Sequence, residues 1–278
     1  FDLTLNLETP AALTGNLPAA MQVDLKSGLA NVRYNGTLQL GDAPSVDGNF
    51  EAAVPNAATL ARQFDLDLPA RTALGRVQVS GKASGALDAL SFTALDITHA
   101  SDLLNLSYTG AVSLAGDGTV KGNLSASSGQ MRALLTSADM ELAPGDTLQS
   151  FAMSGDAEGS FKSVMIRDLS LSLDELTATG QAGMDLSGKA PRIMGNLEMP
   201  FLDLTPFMGE PEPSQPSQGI QPWSDEPLDL SGLKSVDATL DLKVGKLTIG
   251  DIDLTDVMMA VKLTNGLLSA DLSQFQAF

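Results

Sequence analysis

LNLSYTGAVSLAGDGTVKGNLSAS, residues 104–127, decides the fold class. Leu104, Leu106, Tyr108 and Val112 recur with period two, and Asn, Ser and Thr stand between them. That alternation belongs to a strand with one apolar and one wet face. Ala115-Gly116-Asp117-Gly118 supplies turn chemistry, and the pattern resumes toward Gly122-Asn123-Leu124. The stretch predicts a β-hairpin.

The same grammar runs through the chain. Leu3, Leu5 and Leu7 alternate, as do Val32, Tyr34, Leu38 and Leu40 with Gly36 in phase. Val46, Phe50 and Val54 follow, then Val77 and Val79, and Leu169, Leu171 and Leu173. Leu240, Leu242 and Val244 form a later run, and Val257, Met259, Val261 and Leu263 another. Turn signals at LSGKAP (186–191) and TNG (264–266) separate such runs.

The hairpin also belongs to a repeat. Gly48-Asn49-Phe50, Gly122-Asn123-Leu124 and Gly195-Asn196-Leu197 lie 74 and 73 residues apart. Upstream stand Tyr34-Asn35-Gly36, Tyr108-Thr109-Gly110 and Ala178-Thr179-Gly180. VQVSGKASGAL (77–87) aligns at 74 residues with FAMSGDAEGSF (151–161), which brings in Phe151 and Met153. After each Gly-Asn strand comes a break: PNAATLARQF (55–64), SSGQMRALL (127–135) and PFLDLTPFM (200–208). The first two predict short helices, with Asn56 and Ser127 or Ser128 as N-caps. The third, with Pro206, predicts a turn or two.

The expected architecture is therefore mainly β. Repeats of about five antiparallel strands plus a short helix form an elongated curved sheet, a half-pipe or flattened barrel with an apolar inner face. Residues 1–208 carry the repeats, with breaks near 55–66 and 127–137. Residues 209–222, GEPEPSQPSQGIQP, form a linker, and 223–278 begin a further β segment. Both ends fall inside strand-like sequence, so a targeting or anchoring segment is expected to lie outside this stretch.

Composition narrows the function. The formal net charge is −18, from 34 acidic and 16 basic residues, with no basic cluster. Nucleic-acid binding relies on Lys and Arg neutralising phosphates, so nucleic acid is not an expected partner. There is no cysteine for zinc or disulfides. His99, in THASD, is the only histidine, and no G-x-S-x-G elbow or phosphate-binding loop occurs. Asp251, Asp253 and Asp256 alternate with Ile252 and Leu254 and read as outward-facing strand residues, not a calcium loop. No enzymatic activity, cofactor or metal is expected.

Five strands at about 4.8 Å each extend a sheet roughly 24 Å per repeat. One short helix per repeat cannot cover such a face, which must close on itself or meet something apolar. Taken singly, Val77, Leu106, Val112 or Leu240 fits plain core packing as well as a groove lining. Taken together, the stripe suits acyl chains, each buried CH₂ contributing about 0.8 kcal/mol without any specific polar contact. The candidate lining is Val32, Tyr34, Leu38, Leu40, Val77, Val79, Leu104, Leu106, Tyr108, Val112, Phe151, Met153, Leu169, Leu171, Leu240, Leu242, Val257, Met259 and Val261. A structural β-module with a closed core and no lipid ligand is the alternative.

PWSDEPLDLSGLKSVDATLDLKVGKLTIGDIDLTDV, residues 222–257, resembles the C-terminal region of the AsmA family. Trp223, Pro227, Leu228, Leu233 and Asp237 stand at matching places, followed by Leu240, Leu242 and Leu247, and the Pro-rich linker before them is also similar. The resemblance implies a Gram-negative envelope protein with its bulk in the periplasm. It implies anchoring in the inner membrane through a helix not contained in this stretch. It further implies a β-groove that binds phospholipid or another acyl lipid, inter-membrane lipid transport, outer-membrane biogenesis, and partners among outer-membrane or envelope proteins.

Overall fold

The computed structural model describes residues 2–7, 18–64, 73–138, 140, 145, 147–188, 190–205 and 236–277. The chain is mainly β. It divides into two compact units, Phe1–Glu175 and Leu176–Phe278. The linker 209–222 and the motif residues Trp223, Pro227, Leu228 and Leu233 lie outside the described residues. No helix among the described residues is long and apolar enough to cross a membrane.

Unit 1 holds β1 (Asp2–Leu7), β2 (Pro18–Lys26), β3 (Asn31–Gln39) and β4 (Ser45–Val54), then α1 (Ala57–Gln63). Next come β5 (Arg76–Ala86), β6 (Ser91–Ala100), β7 (Asn105–Ser113) and β8 (Thr119–Ser128), then α2 (Met131–Ser137), β9 (Phe151–Gly159) and β10 (Ser163–Leu173). Each strand pairs antiparallel with the next in sequence, and β1 and β10 do not pair with each other. Within this unit the sheet is open. The flattened-barrel form of the expectation does not apply to it.

Four strands, not five, separate α1 from α2. Strands β5 to β8 are 11, 10, 9 and 10 residues long, so four of them with their turns and a helix fill the interval. Asn56 caps α1 as its sequence position predicts, Oδ1 accepting from Thr59 N at 2.8 Å. The cap of α2 is Gln130 and makes no side-chain cap bond. Ser127 and Ser128 both belong to β8, where the Ser128 hydroxyl accepts from Gln130 N at 3.0 Å.

Unit 2 holds β11 (Leu176–Asp185), β12 (Arg192–Asp203), β13 (Asp237–Ile249), β14 (Ile252–Thr264) and β15 (Leu267–Ala277). Three of its pairings are antiparallel, but β12 and β13 run parallel. This corrects the all-antiparallel expectation. Parallel neighbours need a connection of a dozen or more residues, and residues 204–236 separate the two strands in sequence. The break expected at 200–208 is corrected at its start, because β12 runs on through Phe201–Asp203, while 206–208 with Pro206 lie outside the described residues.

Pro200 and Gly245 approach closely between β12 and β13: a Cβ on Gly245 would come within 2.7 Å of the Pro200 carbonyl. There the inward parity switches from Val244 to Leu247. Leu202, Val244, Leu247, Leu254, Val257 and Met259 consequently form a packed cluster. Val244, Leu247 and Val257 are 0 % exposed.

Candidate functional site: the apolar face of unit 1

Register assigns every unit 1 strand residue to a face. One row across the pairing direction runs Leu25–Val32–Ala52–Val79–Ile97–Tyr108–Leu124–Gly155. A second runs Val54–Val77–His99–Leu106–Ala126–Met153–Leu171. The first crosses β2 to β9, seven inter-strand steps, or roughly 34 Å. Half of a ~30 Å bilayer hydrocarbon core, the depth reached by one acyl chain, is about 15 Å.

The candidate residues of unit 1 divide as follows. Val32, Tyr34, Leu38, Val77, Val79, Leu106, Val112, Phe151, Met153 and Leu171 share this face and are half-buried. Tyr108 and Leu169 share it and are buried. Leu40 and Leu104 fall one residue outside β3 and β7, in turns. The side chains gathered here are aliphatic and aromatic, with the His99 ring and the Tyr108 phenol the ionisable groups in the two rows. The described helices of unit 1 are seven residues each: α1 buries Ala61 and α2 buries no residue, so two short helices are all the described helix that accompanies ten strands.

Glycines shape the floor. Gly36 faces Gly48, and Gly110 faces Gly122. The Tyr34 ring folds along its own strand over the first pair, so that a Cβ on either glycine would meet Tyr34 Oη at 2.7 Å. Tyr34 Oη donates to the Thr37 carbonyl at 2.9 Å, and Tyr108 Oη to that of Ala111 at 2.8 Å. Burial raises both phenols above their ordinary range, and the Asp47 charge adds to this at Tyr34, so both remain neutral donors. The two tyrosines are thereby fixtures of the floor: each covers backbone that would otherwise face water. The third motif lacks a Tyr, and there Gly195 faces Ala182 instead.

Bulges set which aliphatics sink. Ala94, Asp168 and Asp256 have φ of 48°, 47° and 51°, and each is followed by a buried residue, Leu95, Leu169 and Val257. A bulge residue re-aims the strand and turns the next side chain under its neighbours. On β5 the floor is small, Gly81 facing Phe50 and Ala83 facing Phe92. Across this gap the Phe50 and Phe92 rings meet edge to face with centroids 5.7 Å apart.

The opposite face is polar. The Gly-Asn asparagines point there, Asn123 donating to Asp156 and Asn196 to Asp241 at 3.4 Å. Cross-strand ion pairs join Lys82 to Asp47 (2.9 Å) and Lys121 to Glu158 (3.4 Å). Two surface grooves lie on this face. One, of about 590 Å³, is lined by Asp24, Arg33 and Glu51 among others. The second, of about 360 Å³, is lined by Ser107, Asn123, Ser125 and Asp156 among others. Their charged groups largely satisfy one another, Arg33 bridging Asp24 at 3.8 Å and Glu51 at 3.7 Å.

At the rim carrying α1 and α2, side chains pin the chain where it returns to the sheet. His99 Nε2 accepts from Gly75 N at 3.0 Å, which places the ring proton on Nδ1. Asp174 accepts from Leu148 N (2.6 Å), Gln149 N (2.8 Å) and Ser150 N (2.8 Å). The Ser150 N–H foremost, with the other backbone donors, holds the Asp174 carboxyl below the usual range against a smaller opposing effect of burial. Among the described residues no group of three or more His, Asp or Glu could hold a metal ion.

The candidates of unit 2 sit differently. Val257 and Met259 belong to the packed cluster, with Leu242 and Val261 against it, and Leu240 is half-buried in β13. The Asp237 carboxylate accepts from Asn265 N at 3.1 Å and steadies the β14–β15 turn, where Asn265 and Gly266 have φ of 52° and 79°. Asp253 pairs with Lys246 at 2.9 Å and accepts from the Thr248 hydroxyl at 2.7 Å, and Asp256 is the bulge residue.

Sequence reasoning missed the bulges, whose signal was a short side chain, Ala94, Asp168 or Asp256, just before a Leu or Val. No known protein family's model matches this chain, and no curated protein or solved structure matches it either.

Proposed function

We propose that unit 1 binds the acyl chains of phospholipid or a similar lipid along its apolar face, and that the chain is a periplasmic, AsmA-like part of an inner-membrane-anchored protein serving lipid transport and outer-membrane biogenesis. One observation carries the reading: two rows of mainly apolar, half-buried side chains cross β2 to β9 and β4 to β10, and the described helices beside them are only seven residues long. Soluble proteins rarely leave a contiguous apolar surface of that extent without a partner. The rows contain few hydrogen-bonding groups, so they suit a ligand recognised by its hydrocarbon and free to slide.

The 74-residue recurrence supports a repeated groove. Ala57 N donates to the Gly75 carbonyl and Met131 N to that of Gln149, both at 2.8 Å. Ser27 and Ser101 close equivalent turns through hydrogen bonds with Ala30 and Leu104. The AsmA assignment rests on residues 222–257. In unit 2 the closed cluster around Val244 and Val257 favours the second reading, a structural module without lipid.

Native mass spectrometry of gently purified protein, with organic extraction in parallel, tests the proposal. It expects bound species with the masses of diacyl lipids, lost when the face is made polar by Val79→Asp together with Leu106→Asp. Lipid-free protein at every stage of purification, with no uptake from added vesicles, would refute it.

A further inference from the structure

The turns β5–β6, β7–β8 and β9–β10 all lie on one rim of unit 1, because its strands pair in sequential antiparallel order. Each presents a large apolar side chain to solvent: Leu87 is 48 % exposed, Leu114 42 % and Phe161 47 %. Adjacent tips are two strands apart, about 10 Å, so the three span roughly 20 Å along a hydrogen-bonded edge. Phe161 rests against Gly118 of the neighbouring turn. The Lys162–Asp117 ion pair, at 2.6 Å, ties those same two turns together. These tips are therefore braced. Single exposed leucines need no explanation, but a row at a fixed step along one rigid rim forms a surface.

Its charge indicates the partner. Asp88 adjoins Leu87, and Asp42 lies in the β3–β4 turn of the same rim. Carboxylates beside apolar tips repel an anionic surface and attract outward-facing ammonium groups. We infer that this rim docks unit 1 onto a zwitterionic bilayer, the Leu and Phe tips entering the headgroup boundary while Asp42 and Asp88 meet choline or ethanolamine ammonium groups. Shallow insertion of this kind scales with the apolar area buried. The inference rests on the lipid reading above: a rim beside the apolar rows would let a lipid pass between membrane and face.

Vesicle co-sedimentation tests it. The full chain, with phosphatidylcholine vesicles and with vesicles containing one-third phosphatidylglycerol, is compared with Leu87→Ser/Leu114→Ser and with Asp42→Lys/Asp88→Lys. Phe161 is left in place to keep its turn packed, and circular dichroism confirms folding. The expected result is binding to phosphatidylcholine, weakened by the anionic lipid. The serine variant should bind at least about tenfold more weakly, and the lysine variant should prefer the anionic vesicles. Absent binding, unchanged binding of the serine variant, or natural preference for anionic vesicles overturns the inference. So does dimerisation through these residues in analytical ultracentrifugation. Lipid carried by the purified protein is scored separately, so the rim can fail while the acyl-chain reading stands.

Discussion

Leu247→Ala and Leu106→Ala remove the same atoms from two surfaces that the fold treats differently. Leu247 is 0 % exposed within the unit 2 cluster, whereas Leu106 is half-buried on the unit 1 face. Truncating a fully buried leucine costs the transfer term plus a cavity, about 3 kcal/mol. At Leu106 part of the side chain already meets solvent and neighbours can relax into the space, so the cost is about 1 kcal/mol. With a urea slope of about 2 kcal/mol/M, the midpoints should fall by roughly 1.5 M and 0.5 M. Urea titration of delipidated protein followed by circular dichroism measures both, and hydrogen exchange assigns each transition to its unit. An equal loss for the two variants would refute the reasoning, since it would mean the unit 1 face is packed as tightly as the cluster.

Tyr108→Phe should cost about 1 kcal/mol, the value of one hydrogen bond to the Ala111 carbonyl, in the same titration. Gly110→Ala should cost at least twice that, because its Cβ would meet the Tyr108 hydroxyl at 2.8 Å and the Gly122 Cα at 2.6 Å. Asp174 titrates below its unfolded value, so its contribution to stability is complete above the ordinary carboxylate range and is lost as pH falls through the folded value. Asp174→Asn should therefore lower the melting temperature at pH 7 and narrow its gap to the natural protein as the pH is lowered below about 4. Lys121→Ala, which breaks an exposed ion pair, should change stability by under about 0.5 kcal/mol at any salt concentration.

The strands were legible because period-two alternation survives along nearly every one, and the Asn56 cap because its side chain acts within one turn. The role of Tyr34 and Tyr108 was not. A tyrosine on an apolar face looks like lining until the glycines opposite are placed beneath it, and that depends on register. The β12–β13 pairing was hidden for a related reason. Parallel addition pairs two segments far apart in sequence, and no local residue pattern encodes that partner. Local sequence also could not separate Val79 from Val257. Both sit in alternating runs, yet one lies on a half-covered face and the other follows a bulge into a packed cluster.

These differences give the two units distinct physical characters. Unit 2 closes its own apolar surface with Leu202, Val244, Leu247 and Val257. Unit 1 spreads comparable residues over a broad sheet, where small floor residues such as Gly81 and Ala83 leave relief between the Phe50–Phe92 pair and its neighbours. Binding hydrocarbon there would stabilise unit 1 by mass action in proportion to ligand concentration.

Adjacent residues of one strand give the most direct test, because they face opposite ways. A photo-crosslinking residue is placed at Val79 or Leu106 on the apolar face, and at Ser80 or Ser107 on the polar face, and irradiated with radiolabelled phospholipid vesicles. The account predicts lipid adducts at Val79 and Leu106 and none above background at Ser80 and Ser107. Adducts at neither pair, or equally at both, would contradict it.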